Sequence, residues 1–219
     1  MVRDENGGED REEPQRAPGE QYNPGTPTRP RPAATVILLR GGGGALEVLL
    51  VKRNPQARFM GGVWVFPGGA VDREEGDGED AYRAAALREL REEASIALEN
   101  PETLVKFSRW ITPAQVKTRF DTHFYLAPIP DDREPRVDGE ECVDLGWFAP
   151  AAALESHRAG EIALVFPTIK HLQQLAEHTT ADELLAYARA RERTVEPVLP
   201  KVLVEGGSAR VLLPGEPGY

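Results

Sequence analysis

Regular alternation of apolar and polar positions begins near Ala34. Thr35-Val36-Ile37-Leu38-Leu39-Arg40 and Leu46-Glu47-Val48-Leu49-Leu50-Val51-Lys52-Arg53 are short apolar runs separated by Gly41 to Gly44, and they predict two strands about a flexible glycine turn. Asn54 to Gly62 reads as a loop with basic residues, and Val63-Trp64-Val65-Phe66 as a short strand ending in a Pro67-Gly68-Gly69 turn. A polar loop closes at Gly76-Asp77-Gly78, and a helix is expected from about Asp80 to Ala94. Leu87, Leu90 and Ala94 fall on one of its faces, and Glu79 and Asp80 supply negative charge at its N-terminus, where the helix dipole favours it. Leu104 to Ile111 and Thr118 to Leu126 read as strands joined through Thr112-Pro113, and Asp138-Gly139 as a turn into a strand from Glu141 to Phe148. Helices are expected over Pro150 to Ala159, from Phe166 to about Glu177, and, after the capping-box pattern Thr180-Ala181-Asp182-Glu183, to about Arg191. Lys201 to Leu213, around Gly206-Gly207, predicts a hairpin or an extended arm. Strands interleaved with helices indicate an α/β (α+β) fold with a mixed sheet, and no repeat or second domain breaks the pattern.

Composition changes this picture at the ends and narrows the partners. Residues 1–31 mix acidic groups, glycine and proline with almost nothing apolar, so a disordered tail is expected there and a single folded domain over 32–219. Lys and Arg total 26 against 36 Asp and Glu, a net charge of −10, which argues against a nucleic-acid backbone as partner. A small anionic ligand remains compatible with that charge, provided metal ions bridge the two negative partners. Cys142 is the one cysteine, which excludes an intramolecular disulfide and a thiolate zinc cluster; without an accompanying histidine pattern it reads as a small buried residue. No apolar run reaches the ~20 residues of a membrane helix, and no signal-peptide centre stands near the N-terminus. A cytoplasmic protein without membrane or nucleic-acid partners is therefore expected, with a homodimer left open.

The chemistry gathers in Arg88-Glu89-Leu90-Arg91-Glu92-Glu93. On a helix, Glu89 and Glu93 stand one turn apart with Glu92 beside them, and like charges at that spacing cost about a few tenths of a kcal/mol. The neighbouring face is apolar, so the three carboxylates border the core. Hard oxygen ligands in such a crowd suit Mg²⁺ or Mn²⁺; a solvated acidic face is the alternative that the helix alone leaves open.

The stretch resembles the signature of the Nudix hydrolases, Gly-x5-Glu-x7-Arg-Glu-U-x-Glu-Glu-x-Gly-U, with U aliphatic. Arg88 to Ile96 matches its second half except at Ser95, which stands for a glycine, and Gly69 matches the opening glycine. A left-handed Ser95 would cost roughly 1 kcal/mol more than glycine there. The resemblance implies an α/β/α sandwich with extra C-terminal helices, and metal ligation by Glu89, Glu92, Glu93 and a carbonyl of the glycine turn at Gly69. It implies catalytic roles for Glu92, Glu93 and Arg88, the arginine orienting a carboxylate. Between Gly69 and Arg88 stand 18 residues where the pattern has 13, so counting back from Arg88 puts its acidic partner at Asp80 or the adjacent Glu79.

A narrower resemblance is to the coenzyme A diphosphatases, carried by Leu49, Leu50, Arg53, Arg58, Gly62, Phe66, Pro67, Gly68 and Gly69 at that subgroup's spacings, with Val51 and Asn54 departing from it. The inserted loop, Arg109-Trp110-Ile111-Thr112-Pro113 and the long helical C-terminal part look more like the peroxisomal-type branch of these enzymes. The subgroup resemblance implies substrate contacts from Arg53, Arg58, Gly62 and Phe66, the arginines holding a further phosphate by forked hydrogen bonds; surface ion pairs are the alternative for both. The implied reaction is metal-dependent cleavage of coenzyme A or its acyl derivatives to 3′-phospho-ADP and 4′-phosphopantetheine. Another nucleoside diphosphate derivative (ADP-ribose, a dinucleotide, an oxidised nucleotide) is the second reading, and a non-catalytic nucleotide sensor the third. The family often adds a further carboxylate from outside the helix, for which Glu141 is the candidate and Glu140 the fallback. His123, on an alternating strand, is expected to be structural, and the apolar run favours a core place for Trp64 and Phe66 over an adenine stack.

Overall fold

The chain is built around β1, Arg31–Arg40, whose burial alternates between two apolar layers. The computed structural model describes residues 20–23, 25–130, 133–205 and 208–219. Residues 1–19 of the expected tail and Gly206-Gly207 of the expected hairpin therefore lie outside the described residues. The further strands are β2 Glu47–Arg53, β3 Trp64–Val65, β4 Gly68–Ala70, β5 Val105–Ile111, β6 Phe120–Pro128, β7 Cys142–Phe148, β8 Pro197–Val198, β9 Lys201–Glu205 and β10 Ser208–Leu212. The helices are α1 Glu79–Ala94, α2 Pro150–Arg158, α3 Phe166–Leu175 and α4 Ala181–Arg189.

The sheet is mixed. Its main path runs β3-β2-β1-β6-β5-β8, with β4 also paired to β1 and β7 to β2. β1 and β6 are parallel, from Arg31↔Phe120 to Leu39↔Pro128, while β2 and β4 meet β1 antiparallel. β9 and β10 form a separate antiparallel ribbon, the hairpin expected near the end of the chain.

Period-two alternation decides the layers. Val36, Leu38, Leu49 and Val51 pack with Ala85, Ala86, Leu90 and Ala94 of α1. Ile37, Leu39, Val48 and Leu50 pack on the other face with Leu172, Leu175, Leu184 and Leu185 of α3 and α4. All eight strand side chains are fully buried, and each contributes roughly 1.5–3 kcal/mol. The result is the expected α/β/α sandwich, and the alanines of α1 let that helix lie close to the sheet.

Two expectations change. Pro67-Gly68-Gly69 is not only a turn: Gly68 and Gly69 belong to β4, opposite Thr35 and Ala34. A Cβ on Gly68 would meet Ala34 O and the Thr35 side chain, so glycine is what allows this strand to approach β1. The segment before β1 also differs from the expected disorder over 1–31. Tyr22 bridges to Val116, Asn23 N–H donates to Gln115 O at 2.7 Å, and Arg119 Nη1 donates to Thr28 O at 2.6 Å. Hydrogen bonds to the β5–β6 connection order a segment that has little apolar surface of its own. Among the described residues no helix is long and apolar enough to cross a membrane.

Candidate active site

The glycines of β4 bring α1 and the sheet together where the acidic side chains lie. A Cβ on Gly69 would land on the carboxylate of Glu89, so that carboxylate rests directly on the backbone. Gly68 N–H donates to Glu93 Oε2 at 2.9 Å. Ser95 ends α1 in the left-handed conformation (φ 56°, ψ 25°), and its N–H returns to Arg91 O. The serine thus adopts the geometry expected of the missing glycine.

Glu93 is 2 % exposed, unusual for a carboxylate and costly without partners. Burial pushes its pKa up to about 7, with the Gly68 hydrogen bond opposing and the nearby charge of Glu89 adding to the rise. Arg53 Nη1, at the end of β2, stands 3.6 Å from Glu93 Oε1. That is an ion pair but too long for a hydrogen bond, and Glu93 Oε1 and Arg53 Nε both lie buried without a hydrogen-bond partner. Cys142 opens β7 beside them, and burial and the Glu93 charge keep its thiol protonated. The cysteine is buried, as expected.

Arg88 is clamped on four sides. Its Nε donates to Glu75 Oε1 at 2.9 Å, Nη1 to Glu89 Oε1 at 2.7 Å and Glu92 Oε2 at 3.1 Å, and Nη2 to Ala70 O at 2.9 Å. This corrects the expectation that Glu79 or Asp80 pairs with Arg88. Glu75 closes a single 3₁₀ turn, Arg73–Glu75, and lies six positions after Gly69, the spacing that the family pattern gives when counted forward from its glycine. The five additional residues fall between Glu75 and Arg88, which displaced the count made backward from Arg88. Glu79 instead meets Lys106 Nζ at 2.8 Å, Tyr125 Oη at 2.8 Å and His123 Nδ1 at 3.3 Å. Burial opposes its ionisation, but those hydrogen bonds together hold its carboxyl well below the usual range. His123 is buried and stacked on Tyr82 with ring centroids 3.7 Å apart, a structural role.

Glu89, largely buried, has its pKa raised by burial, with Arg88 opposing and the charges of Glu92 and Glu141 adding to the rise. Glu141 is therefore an electrostatic neighbour of the helix cluster, although it is remote in sequence. Its position is held by Asn54, whose N–H donates to Glu141 O and whose Nδ2 donates to Glu140 O, both at 2.8 Å. Asn54 thus joins the arginine-bearing loop to the start of β7, a role its departure from the subgroup pattern did not suggest. A cleft lined by Arg53, Asn54, Gln56, Ala57, Glu140 and Glu141 lies between them. Arg58 is exposed on the same loop and makes no hydrogen bond or ion pair among the described residues. Gly62, at φ 78°, closes the loop through its N–H to Arg53 O. Phe66 takes the core place that its apolar run favours and not the substrate contact that the resemblance implies: it is 3 % exposed, edge-on to His171. Trp64 is core as well, as expected.

As they stand, no three described His, Cys, Asp or Glu side chains are gathered to hold a metal ion. Arg88 holds Glu89 and Glu92 on its guanidinium instead. The donor set is nevertheless entirely oxygen, and the buried, unsatisfied Glu93 Oε1 is the atom that a hard divalent cation would satisfy. The residues present therefore fit such an ion, with Glu89, Glu92 and Glu93 as the side chains that would hold it.

Residues 29–166 match the NUDIX domain family. The chain is 28 % identical over 191 residues to the putative nudix hydrolase 7 of Caenorhabditis elegans, covering 71 % of this chain and 63 % of that protein. It is 31 % identical over 119 residues to the acyl-coenzyme A diphosphatase NUDT19 of Homo sapiens, covering 53 % of this chain and 32 % of that protein. The chain thus spans less than two thirds of these relatives' own lengths. Among solved structures, it aligns with a NUDIX hydrolase from Alicyclobacillus acidocaldarius at TM-score 0.65 and 26 % identity, over 73 % of this chain and 96 % of that one. A buried glutamate of α1 bonded to a glycine strand, an arginine clamped by the acidic residue six positions after that strand's glycine, and a family match over more than half the sequence lead to one conclusion: the chain belongs to the NUDIX domain family.

Proposed function

We propose that this protein is a Mg²⁺- or Mn²⁺-dependent hydrolase of the diphosphate linkage in coenzyme A or acyl-coenzyme A. The observation that carries the diphosphatase reading is Glu93, buried with one oxygen on Gly68 N–H and the other unsatisfied beside Arg53. Water adds its oxygen to one phosphorus as the bridging P–O bond breaks. The products are 3′-phospho-ADP and (acyl-)4′-phosphopantetheine, and the proton lost from water passes to a base. A bound divalent cation supplies positive charge against the charge that collects on the phosphate oxygens. Glu141 is the proposed base, and Arg88 keeps Glu89 and Glu92 in place. The coenzyme A preference rests on Arg53 and Arg58 at the subgroup's spacing, and on the partial match to the human acyl-coenzyme A diphosphatase. Arg53 borders the cleft and Arg58 projects freely, so both suit a further phosphate.

Incubation with either metal and, separately, coenzyme A, ADP-ribose, NADH and diadenosine polyphosphates, with products identified by mass, tests the proposal. Coenzyme A should give the two named products. Faster turnover of ADP-ribose would overturn the substrate assignment, and full activity in Glu93→Gln would overturn the site. Arg53→Ala and Arg58→Ala should each lose preference for coenzyme A over dephospho-coenzyme A; an unchanged preference would remove the arginine clamp.

A further inference from the structure

The arginine-bearing loop also forms the wall of a chamber that the hydrolytic site does not use. A cavity of about 130 Å³ lies on the α3 side of the sheet, walled by Phe59, Met60, Trp110, Phe120 and Phe166, and the β9–β10 ribbon contributes Val202 and Val211. The rings are arranged around it: Phe59 stands 6.4 Å from Phe120, and Trp110 stands edge-on to Phe166 at 6.3 Å. No lysine, arginine or histidine lines it, so it is not built for a phosphate. Met60 holds a left-handed backbone (φ 56°) at the wall, which costs a non-glycine residue about 1–2 kcal/mol and persists only where the surroundings impose it. The neighbouring Gly61 lies against the Pro55 and Ala57 carbonyls, where a Cβ would come within 2.8 Å of either oxygen, so the loop is tightly folded here. One continuous loop therefore carries Arg53 at the catalytic cleft and Phe59-Met60 at the chamber.

Resting on the diphosphatase reading above, we propose that this chamber receives the phosphate-free end of the substrate and takes a short acyl group of about six carbons, since an apolar cavity of about this size accommodates benzene. An alkyl chain asks for no hydrogen bonds from such a wall. A purine would need a partner at each ring nitrogen, and burying one unpaired weakens binding. The polar side chains of the wall are Glu20, at its rim, Tyr22 and the threonines at 112, 118 and 122, and Thr112 Oγ1 already accepts from Phe120 N–H at 3.0 Å.

The test uses hexanoyl-pantetheine, which has the acyl end and no phosphate, titrated calorimetrically onto the full chain. Thr122→Phe fills the chamber and Phe120→Ala enlarges it. The wild type should bind the probe and prefer hexanoyl-coenzyme A to free coenzyme A, and Thr122→Phe should bind the probe about ten-fold more weakly and lose that preference. Phe120→Ala should shift the preferred acyl chain to a longer one, which keeps the proposal testable if Thr122→Phe fails to fold. Absence of probe binding, equal binding by Thr122→Phe, or competitive displacement of the probe by adenosine would overturn the acyl assignment. Chamber-dependent probe binding without any coenzyme A hydrolysis would support the acyl site and remove the diphosphatase reading alone.

Discussion

Glu93 and His171 are both buried titratable groups, and they bend the stability of the protein in opposite directions with pH. The Glu93 pKa is raised from 4.5 to about 7 in the fold, so folding favours its protonated form. Its contribution is full below the unfolded pKa and is lost as pH rises through about 7. Each tenfold change in a protonation equilibrium is worth about 1.4 kcal/mol, so metal-free protein should lose up to about 3 kcal/mol between pH 5 and pH 8. Urea midpoints in chelator should show that loss in the wild type and not in Glu93→Gln. His171 is fully buried between Ser108 Oγ (2.6 Å) and Pro167 O (2.7 Å), and burial lowers its pKa to about 4. Its contribution is present above about 6.5 and is lost as pH falls toward 4, again by roughly 3 kcal/mol. His171→Gln should be less stable at pH 7 but flatter between pH 7 and pH 4 in the same measurement. Arg88 carries a separate expectation. Glu75→Gln should cost about 10- to 100-fold in turnover, because it loosens the group that orients Glu89 and Glu92, whereas Asp80→Asn should not.

At the level of elements, α1 and β4 are matched by what they lack. Alanines on α1 and glycines on β4 let helix and sheet approach until carboxylates meet backbone. Gly69→Ala should therefore abolish activity, since its new methyl group would displace Glu89. The C-terminus of α1 has the opposite opportunity. Ser95 already occupies the left-handed region, so Ser95→Gly should stabilise the protein by about 1 kcal/mol in chemical denaturation, with turnover unchanged. The helix and its last turn were legible in the sequence because they depend on spacing within a few residues. β4 was not, since Pro-Gly-Gly reads locally as a turn and only its pairing with Ala33 to Thr35 makes it a strand.

Across the whole molecule, the site joins parts of the chain that no local reading connects. Arg53 and Glu93 stand on different elements, Glu141 enters from the start of β7, and Asn54 links the last to the first. A divalent cation relieving the Glu93 charge should couple this site to global stability. At pH 8, Mg²⁺ should raise the melting temperature of the wild type and leave that of Glu93→Gln nearly unchanged. The sequence by itself determined the alternating strands, the amphipathic helices, the family signature and the crowding of Glu89, Glu92 and Glu93. Those are properties of neighbouring residues, set by periods of two and about 3.6. Only the tertiary structure decided that Glu75 holds Arg88, that Glu79 braces His123 and Tyr125, and that Gln21, Asn23 and Thr28 dock on the β5–β6 connection. A charged group's partner and its exposure depend on which distant backbone folds against it, and burial, not sequence spacing, sets the charge that Glu93 carries.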